Sequence, residues 1–538
     1  MNRTKLIRML GLLAATGCSA ASTENVGSKS DALAPSWLNA DWSIPPVFGL
    51  DRDGDGLVDL APPKAAYTPQ SYHVTVSACS ASPPHGDVTS YTFEVTFPDH
   101  VDTRTTTSCT SEYDLPASTP SYPARVTVQV SDGSAGVQEL LIAPRNYVIV
   151  SMGDSIASGE GNPDISLPNL HWVDTRCHRS ASSGHARAAR LIEDSDPHTS
   201  VTFLSVACSG AGISKGILGA YAGQDPGMNY YSLEPQVTQV MRALCPFQRT
   251  CSPAEMPKID ALFLQVGAND VEFGEMARRC AYPDDCTGSI PSSFYTAMAQ
   301  LPGLYDTLAQ TLKSSFNIGT VYTTEYPDVT MNDSGEFCDS VFKGAIDDNF
   351  STGARTSLGA ALGFVIGGPA GAVVAGVAAR SIHDGEISPS ENSWAHYNLV
   401  LPLNQTFMAA ADRSGWKGIR GAAAQFANHG YCADNHYIRR YDESKATQGN
   451  VDGTLHPNEW GHSIYATQIS TEFHWQLVPA PLPLDGYAAG PIGWSFLWSG
   501  EAAGEFAAPD DYTRNSLIAS NDTRHIVPWI TQWDTGYY

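Results

Sequence analysis

The sequence predicts an α/β fold: a parallel sheet with helices on both faces, preceded by a small β-sandwich domain. Two patterns carry the prediction. Four continuous apolar runs, "NYVIVSM", "VTFLSVA", "DALFLQV" and "GTVYTTE", lie between 146 and 325, separated by segments of helical character. Upstream, "YHVTVSAC", "YTFEVTF", "ARVTVQVSD" and "QELLIAP" alternate apolar and polar residues between Gly, Pro, Asp and Ser turns. Unbroken apolar runs mark strands buried on both faces, as in a parallel sheet covered by helices. Alternation marks strands with one buried face, as in a sandwich.

The chain has 538 residues, more than one ordinary core holds, so several domains are expected. Acids outnumber bases 56 to 31 for a net charge of −25, which leaves no basic surplus for nucleic acid. Hydrophobic residues make up 42%, enough for a folded, soluble chain.

The organisation is expected to run as follows. Residues 1–18 read as an export signal: Arg3, Lys5 and Arg8 precede a short apolar run, too short to span a bilayer. It ends in "AATGCSA", which resembles a bacterial lipobox, with Cys18 as the lipidated residue. That resemblance implies an exported protein, either an envelope lipoprotein held to the membrane by its N-terminal lipid or a secreted one. Residues 19–48 form a Ser/Ala/Pro-rich linker. Within 49–64, "DRDGDGLVD" spaces Asp51, Asp53, Asp55 and Asp59 around Gly56, a pattern that suits a structural calcium ion and equally a solvated acidic turn. Pro62 at the twelfth place excludes an EF-hand. The sandwich takes 65–146 and resembles PKD or immunoglobulin-like modules. The α/β domain takes 147–475, with a Gly/Ala-rich insertion at 353–380, and 476–538 is an extension of unassigned role.

Ten cysteines remain after Cys18, an even number that suits disulfides in an exported chain. Cys245/Cys251 and Cys280/Cys286 pair as local loop staples. Cys79/Cys109, Cys177/Cys208 and Cys338/Cys432 follow by neighbourhood.

Two serines compete for a catalytic role. "GISKG" at 212–216 matches the G-x-S-x-G elbow, but that motif needs a strand before it and a helix after it. The glycine-rich "ILGAYAGQDPG" that follows makes a poor helix. Ser155 instead ends an apolar run, in "MGDSIASGEG". In order after it come "ACSGAG", "VGANDVEFG" and "GTLHPNEWGHSIYA". Together these four blocks resemble the SGNH (GDSL) hydrolases. "CHRSASSGHARAAR" and "ANHGYCADNHYIRRYDES" resemble the secreted bacterial lipase/esterase branch.

The resemblance implies a flavodoxin-like sheet and a carboxylic ester hydrolase, of lipase, esterase or phospholipase type, acting on an ester or lipid without a catalytic cofactor. Ser155 is the implied nucleophile and His456 the base. The oxyanion hole is the N–H of Ser155, the N–H of Gly210 and the side-chain amide of Asn269. Asp154 adjoins Ser155 along the chain and is expected to stabilise the loop. The family often carries an aspartate three residues before the histidine, where this chain has Gly453. Asp452, four before, is the expected acid; the alternative is a backbone carbonyl on Nδ1. A rival reading is a non-catalytic, surface-anchored adhesion or carbohydrate-binding protein on a hydrolase fold. Residues 356–379 carry no charge over 24 positions. One membrane crossing there would part Ser155 from His456, so a hairpin broken at Gly367-Gly368-Pro369 is expected, either packed on the body or in contact with lipid.

Overall fold

The computed structural model describes residues 34–49, 58–225, 231–245, 250–280, 287, 290–339 and 387–477. Cys18, Asp51, Asp53, Asp55, Cys286, the insertion at 353–380 and nearly all of the C-terminal extension lie outside these residues. Among the described residues no helix is long and apolar enough to cross a membrane.

The N-terminal strands are β1 (Asp41–Ser43), β2 (Ser71–Ser77), β3 (Val88–Thr96), β4 (Val101–Thr106), β5 (Thr110–Pro116), β6 (Tyr122–Val130) and β7 (Ala135–Ile142). They form two antiparallel sheets, ordered β1-β2-β5 and β4-β3-β6-β7. Alternation does what the sequence predicts: in β6, Tyr122, Ala124, Val126 and Val128 are buried while Pro123, Arg125 and Gln129 face out. The inward set meets Phe93, Val95, Val74, Val76, Tyr113 and Leu115 in one core. Cys79 and Cys109 are bonded with Cα atoms 4.8 Å apart. They join the ends of β2 and β5, neighbours in one sheet, whereas the immunoglobulin bridge crosses between sheets.

Two residues after β7 the chain enters β8 (Arg145–Gly153), the first strand of the second sheet. With β9 (Thr199–Ser205), β10 (Ile259–Gln265), β11 (Ile318–Thr324) and β12 (Lys417–Ile419) it forms a sheet ordered β12-β11-β10-β8-β9, and every pair is parallel. Every residue of β9 and β10 is buried. Helices α2 (Gly184–Asp194) and α10 (Glu459–Leu477) pack on each other, as do α5 (Ser292–Ser315) and α7 (Leu401–Ser414), while α4 (Phe273–Cys280), α6 (Pro389–Ala395) and α8 (Ala422–Phe426) are shorter helices between them in the chain. The chain goes first from β8 to one side, then returns past it to the other. That reversal makes the carboxyl ends of β8 and β10 a topological switch point, where open α/β sheets bind ligands.

Three further bridges close loops of this domain, each between the cysteines that the sequence paired. Cys177 and Cys208 have Cα atoms 4.3 Å apart. Cys245 ends α3 (Gln236–Leu244) and is bonded to Cys251, with Cα atoms 5.7 Å apart, which staples the chain as it approaches β10. Cys338 follows β11 and is bonded to Cys432, with Cα atoms 5.8 Å apart. That bridge spans 94 positions and closes the stretch of chain that carries the 353–380 insertion. Cys251 and Cys432 are both half-buried and pack against the main core, while Cys245 and Cys338 belong to it. The Cys280/Cys286 pairing falls partly outside the described residues.

Candidate active site

Ser155 opens α1 (Ser155–Ser158) directly after β8. The turn depends on Gly153, whose φ of +149° few side chains adopt. A Cβ there would collide with the Gln265 carbonyl and lie 2.8 Å from the Ala157 Cβ. The Gln236 amide clamps the same glycine from both sides, accepting its N–H at 2.9 Å and donating to its carbonyl at 2.8 Å. Asp154 turns inward. Its carboxylate caps the Ile156 N–H at 3.0 Å and accepts the Tyr326 hydroxyl at 2.5 Å. Burial pushes its carboxyl up to about 7, against the pull of the Tyr326 bond. As first helical residue, Ser155 has no helical carbonyl one turn back for its N–H.

The second loop follows β9. The Cys208 N–H donates to the Gly153 carbonyl at 3.1 Å, and Ser209 N–H to the Cys177 carbonyl at 3.0 Å. The Cys177–Cys208 disulfide secures the same junction. Gly210 has φ +80°, and a Cβ on it would collide with the Tyr221 hydroxyl. Among the described residues nothing accepts the Gly210 N–H. The third loop follows β10: Asn269 is exposed and donates one amide hydrogen to the Ala211 carbonyl at 2.9 Å. Asp270 beside it accepts the Ile213 N–H at 2.8 and 3.0 Å. Asn269 and Asp270 together pin the third loop to the second.

His456 stands on a loop between α9 (Tyr441–Gln448) and α10. A short antiparallel contact steadies it, with Arg439 N–H on the His456 carbonyl at 2.7 Å and Leu455 N–H on the Arg439 carbonyl at 3.0 Å. Nδ1 of His456 lies 3.2 Å from the Thr454 carbonyl. A carbonyl only accepts, so in the neutral ring Nδ1 carries the proton and Nε2 keeps its lone pair. Burial holds the imidazole below its ordinary pKa, while the Glu160 charge and the carbonyls of Thr454, Asp452 and Gly453 oppose that shift.

Here the geometry departs from the expectation for Asp452. Its backbone carbonyl faces the ring, but among the described residues no hydrogen bond joins its carboxylate to His456, and the Gln224 side chain lies beside that carboxylate instead. Burial, with Glu160 nearby, pushes that carboxyl up to about 7. The place three before the histidine is closed to any acid. A Cβ on Gly453 would lie 2.7 Å from the Gly161 Cα, 2.9 Å from Gln448 Oε1 and 3.0 Å from Ser444 Oγ.

The turn that begins at Ser155 is tied to the His456 loop. The Ser155 carbonyl accepts the Gly159 and Glu160 N–H groups at 3.1 and 3.0 Å. Beyond them Asn162 donates to the Pro457 carbonyl at 2.7 Å, and Arg439 bonds both the Gly161 carbonyl and Asn162 Oδ1. Ser214 of "GISKG" is exposed in a loop with no strand directly before it. His462 turns away to accept the Gly184 N–H at 3.0 Å. Asp59, at the end of the acidic loop, is half-buried.

Sequence reasoning missed a buried pair beside this site. Glu160 and His178 meet at 2.7 Å, with Trp172 stacked on the imidazole at 4.8 Å. Gln448 donates to the same carboxylate at 2.9 Å. His178 holds Glu160 down at about 2 despite complete burial, and Glu160 raises His178 to about 9. Also missed is an apolar pocket of about 40 Å³ walled by Phe273, Met276, Val329, Trp394, Leu399 and Leu455. Phe273 lies four residues past Asn269, and Leu455 directly precedes His456.

No protein-family model and no curated protein matches the chain. Among solved structures, an extracellular lipase from Streptomyces rimosus is similar at 17% identity with a TM-score of 0.34, over 61% of this chain and 99% of the lipase. A carbohydrate esterase whose active site is described as having divergent catalytic and non-catalytic binding functions is similar at 12% identity with a TM-score of 0.20, over 54% of this chain and 78% of that one.

Proposed function

We propose that the chain is a carboxylic ester hydrolase working through Ser155 and His456. One relationship carries the reading. Ser155 leaves β8 at the switch point of the sheet, and the turn it begins is laced to the loop that presents His456 with its Nε2 unbonded among the described residues.

In this reading the Ser155 hydroxyl attacks the ester carbonyl and gives its proton to His456 Nε2. Negative charge gathers on the carbonyl oxygen, where the N–H groups of Ser155 and Gly210 and the free amide hydrogen of Asn269 stabilise it. Collapse expels the alcohol, which takes the proton from His456 and leaves an acyl-serine. Water then repeats the sequence and frees the acid. A Ser–His dyad suffices, with the Thr454 carbonyl orienting the ring. The apolar pocket between Phe273 and Leu455 gives the acyl arm a place.

The test is hydrolysis of p-nitrophenyl esters of graded acyl length by the full chain and by Ser155→Ala. Turnover that vanishes in the variant supports the reading; wild-type turnover no faster than the variant's sinks it. The same reading puts the enzyme outside the cytoplasm, carried by the signal, with Cys18 as the lipid-bearing residue and Asp51, Asp53, Asp55 and Asp59 as a calcium loop. The disulfides suit an oxidising compartment. A Cys18→Ala chain is then recovered in soluble fractions instead of with membranes.

A further inference from the structure

Taking the Ser155–His456 reading as its basis, we infer that Glu160 is a positioning residue, its buried carboxylate supplying His456 with the negative charge that a third triad member would otherwise give. Four observations converge on it. The Thr454 carbonyl that meets Nδ1 is neutral, so it orients the ring but balances only part of the charge when Nε2 takes the serine proton. Among the described residues the Asp452 carboxylate makes no hydrogen bond to His456. Glu160 belongs to the turn that holds Ser155, its N–H bonded to the Ser155 carbonyl at 3.0 Å. The next residue, Gly161, lies against the histidine itself, its Cβ direction ending 3.6 Å from the His456 Cβ.

A buried carboxylate usually takes up a proton rather than stay charged. This one is kept ionised by construction. His178 gives it a hydrogen bond and an ion pair at 2.7 Å, and the Gln448 amide gives another at 2.9 Å. His178 is in turn fixed by Trp172 stacking and by the disulfide at the adjacent Cys177. Asp452 and Asp225 also face His178. On the other side of Gly161, the Arg439 guanidinium is paired with Glu459 at 3.0 Å, as Glu160 is with His178. His462, on α10, accepts the Gly184 N–H and is held uncharged by burial. With Gly161 packed against His456, the Glu160 charge is the largest influence opposing the effect of burial on that ring.

The experiment is Glu160→Gln in the full chain, read in two ways. Histidine-labelled NMR titration should show His456 titrating at lower pH, since its imidazolium has lost a negative neighbour. The acid limb of kcat/KM for p-nitrophenyl acetate should move down in pH with it, kcat falling about tenfold or more while KM stays within about twofold. A lower Tm with the His456 titration unmoved would overturn the inference and leave Glu160 a structural residue. If the single variant misfolds, Glu160→Gln/His178→Gln removes both charges and leaves two amides able to bond each other. A wild-type carboxyl titration adds a check free of mutation: Glu160 protonated at the pH where His456 titrates would overturn the inference. Absence of ester hydrolysis sinks the esterase reading alone, because the NMR shift is read without turnover.

Discussion

Gly161 and Gly453 meet backbone to backbone, so that a Cβ on Gly453 would lie 2.7 Å from the Gly161 Cα and one on Gly161 would lie 3.3 Å from the Gly453 carbonyl. The turn after the candidate nucleophile and the loop before the candidate base are thereby pressed together with no side chain between them. Restoring an acid at this place, Gly453→Asp, is expected to break the site rather than complete a triad. Overpacking of this kind costs about 1–3 kcal/mol. The variant should melt well below wild type and lose ester turnover. A wild-type Tm with raised turnover would mean that the two loops part easily.

Asp452→Asn is expected to leave turnover within about tenfold of wild type, because the carboxylate does not meet His456 Nδ1. A working triad aspartate would instead cost as much as about 10⁴ in kcat. The measurement is kcat for p-nitrophenyl acetate at pH 8, with Tm as a folding control. A fall of a thousandfold in a well-folded variant would restore Asp452 as the acid.

Asn269→Ala should lower kcat by about 10²–10³, the usual loss for one oxyanion donor. Asn269 is exposed and its side chain's one described bond, to the Ala211 carbonyl, supports only the loop, so Tm should change little. Unchanged kcat would remove Asn269 from the proposed machinery.

The proposed acyl role of the apolar pocket can be tested by filling it. A volume of about 40 Å³ holds about three water-sized groups, which corresponds to an acyl arm of about three or four carbons. Val329→Phe should leave the acetyl ester turning over while depressing the butyryl and longer esters, seen as a shift in kcat/KM across the series. Parallel loss for every ester would place the acyl arm elsewhere.

Much of the α/β body was legible because its strands are buried on both faces. The four apolar runs fall on β8, β9, β10 and β11. β12 escaped notice: "KGI" is three residues long and at the sheet edge, too short to show a period. In the sandwich, β4 was equally hidden, since "VDTRTT" is an edge strand with no buried residue. Among the bridges, Cys245–Cys251 could be read from a spacing of 6, which leaves two cysteines little choice of partner. Cys338–Cys432, 94 positions apart, rested on neighbourhood alone, and only the fold brings its two loops together. At the site, Ser155, Gly210 and Asn269 end runs that the eye can find. Glu160 and His178 carry no such mark, because their pairing exists only once two loops fold together. The closure at Gly453 was invisible for the same reason: a missing side chain shows its purpose only against its neighbour.

The buried ionisable groups also set a pH dependence of stability. Asp154 is raised to about 7, so between its ordinary range near 4 and about 7 the folded state holds a proton that the unfolded state has released. Stability from this group therefore falls as pH rises through that window. His178, raised to about 9, contributes fully below about 6.5 and loses its contribution as pH climbs to about 9. Glu160 works in the opposite sense: held at about 2, it contributes above its ordinary value and is lost as pH falls toward 2. His185 and His462, held at about 3 by burial, act against Asp154, adding stability as pH rises from about 3 to 6.5, so the Asp154 contribution is read by difference. Asp154→Asn keeps an acceptor for the Ile156 N–H but has no proton to lose, so between about pH 4 and 7 its Tm should gain on the wild-type Tm as pH rises. Above about 6.5 the Tm should decline toward pH 9 as His178 loses its proton, and a wild-type Tm that rises from pH 7 to pH 9 would refute this assignment of the buried charges.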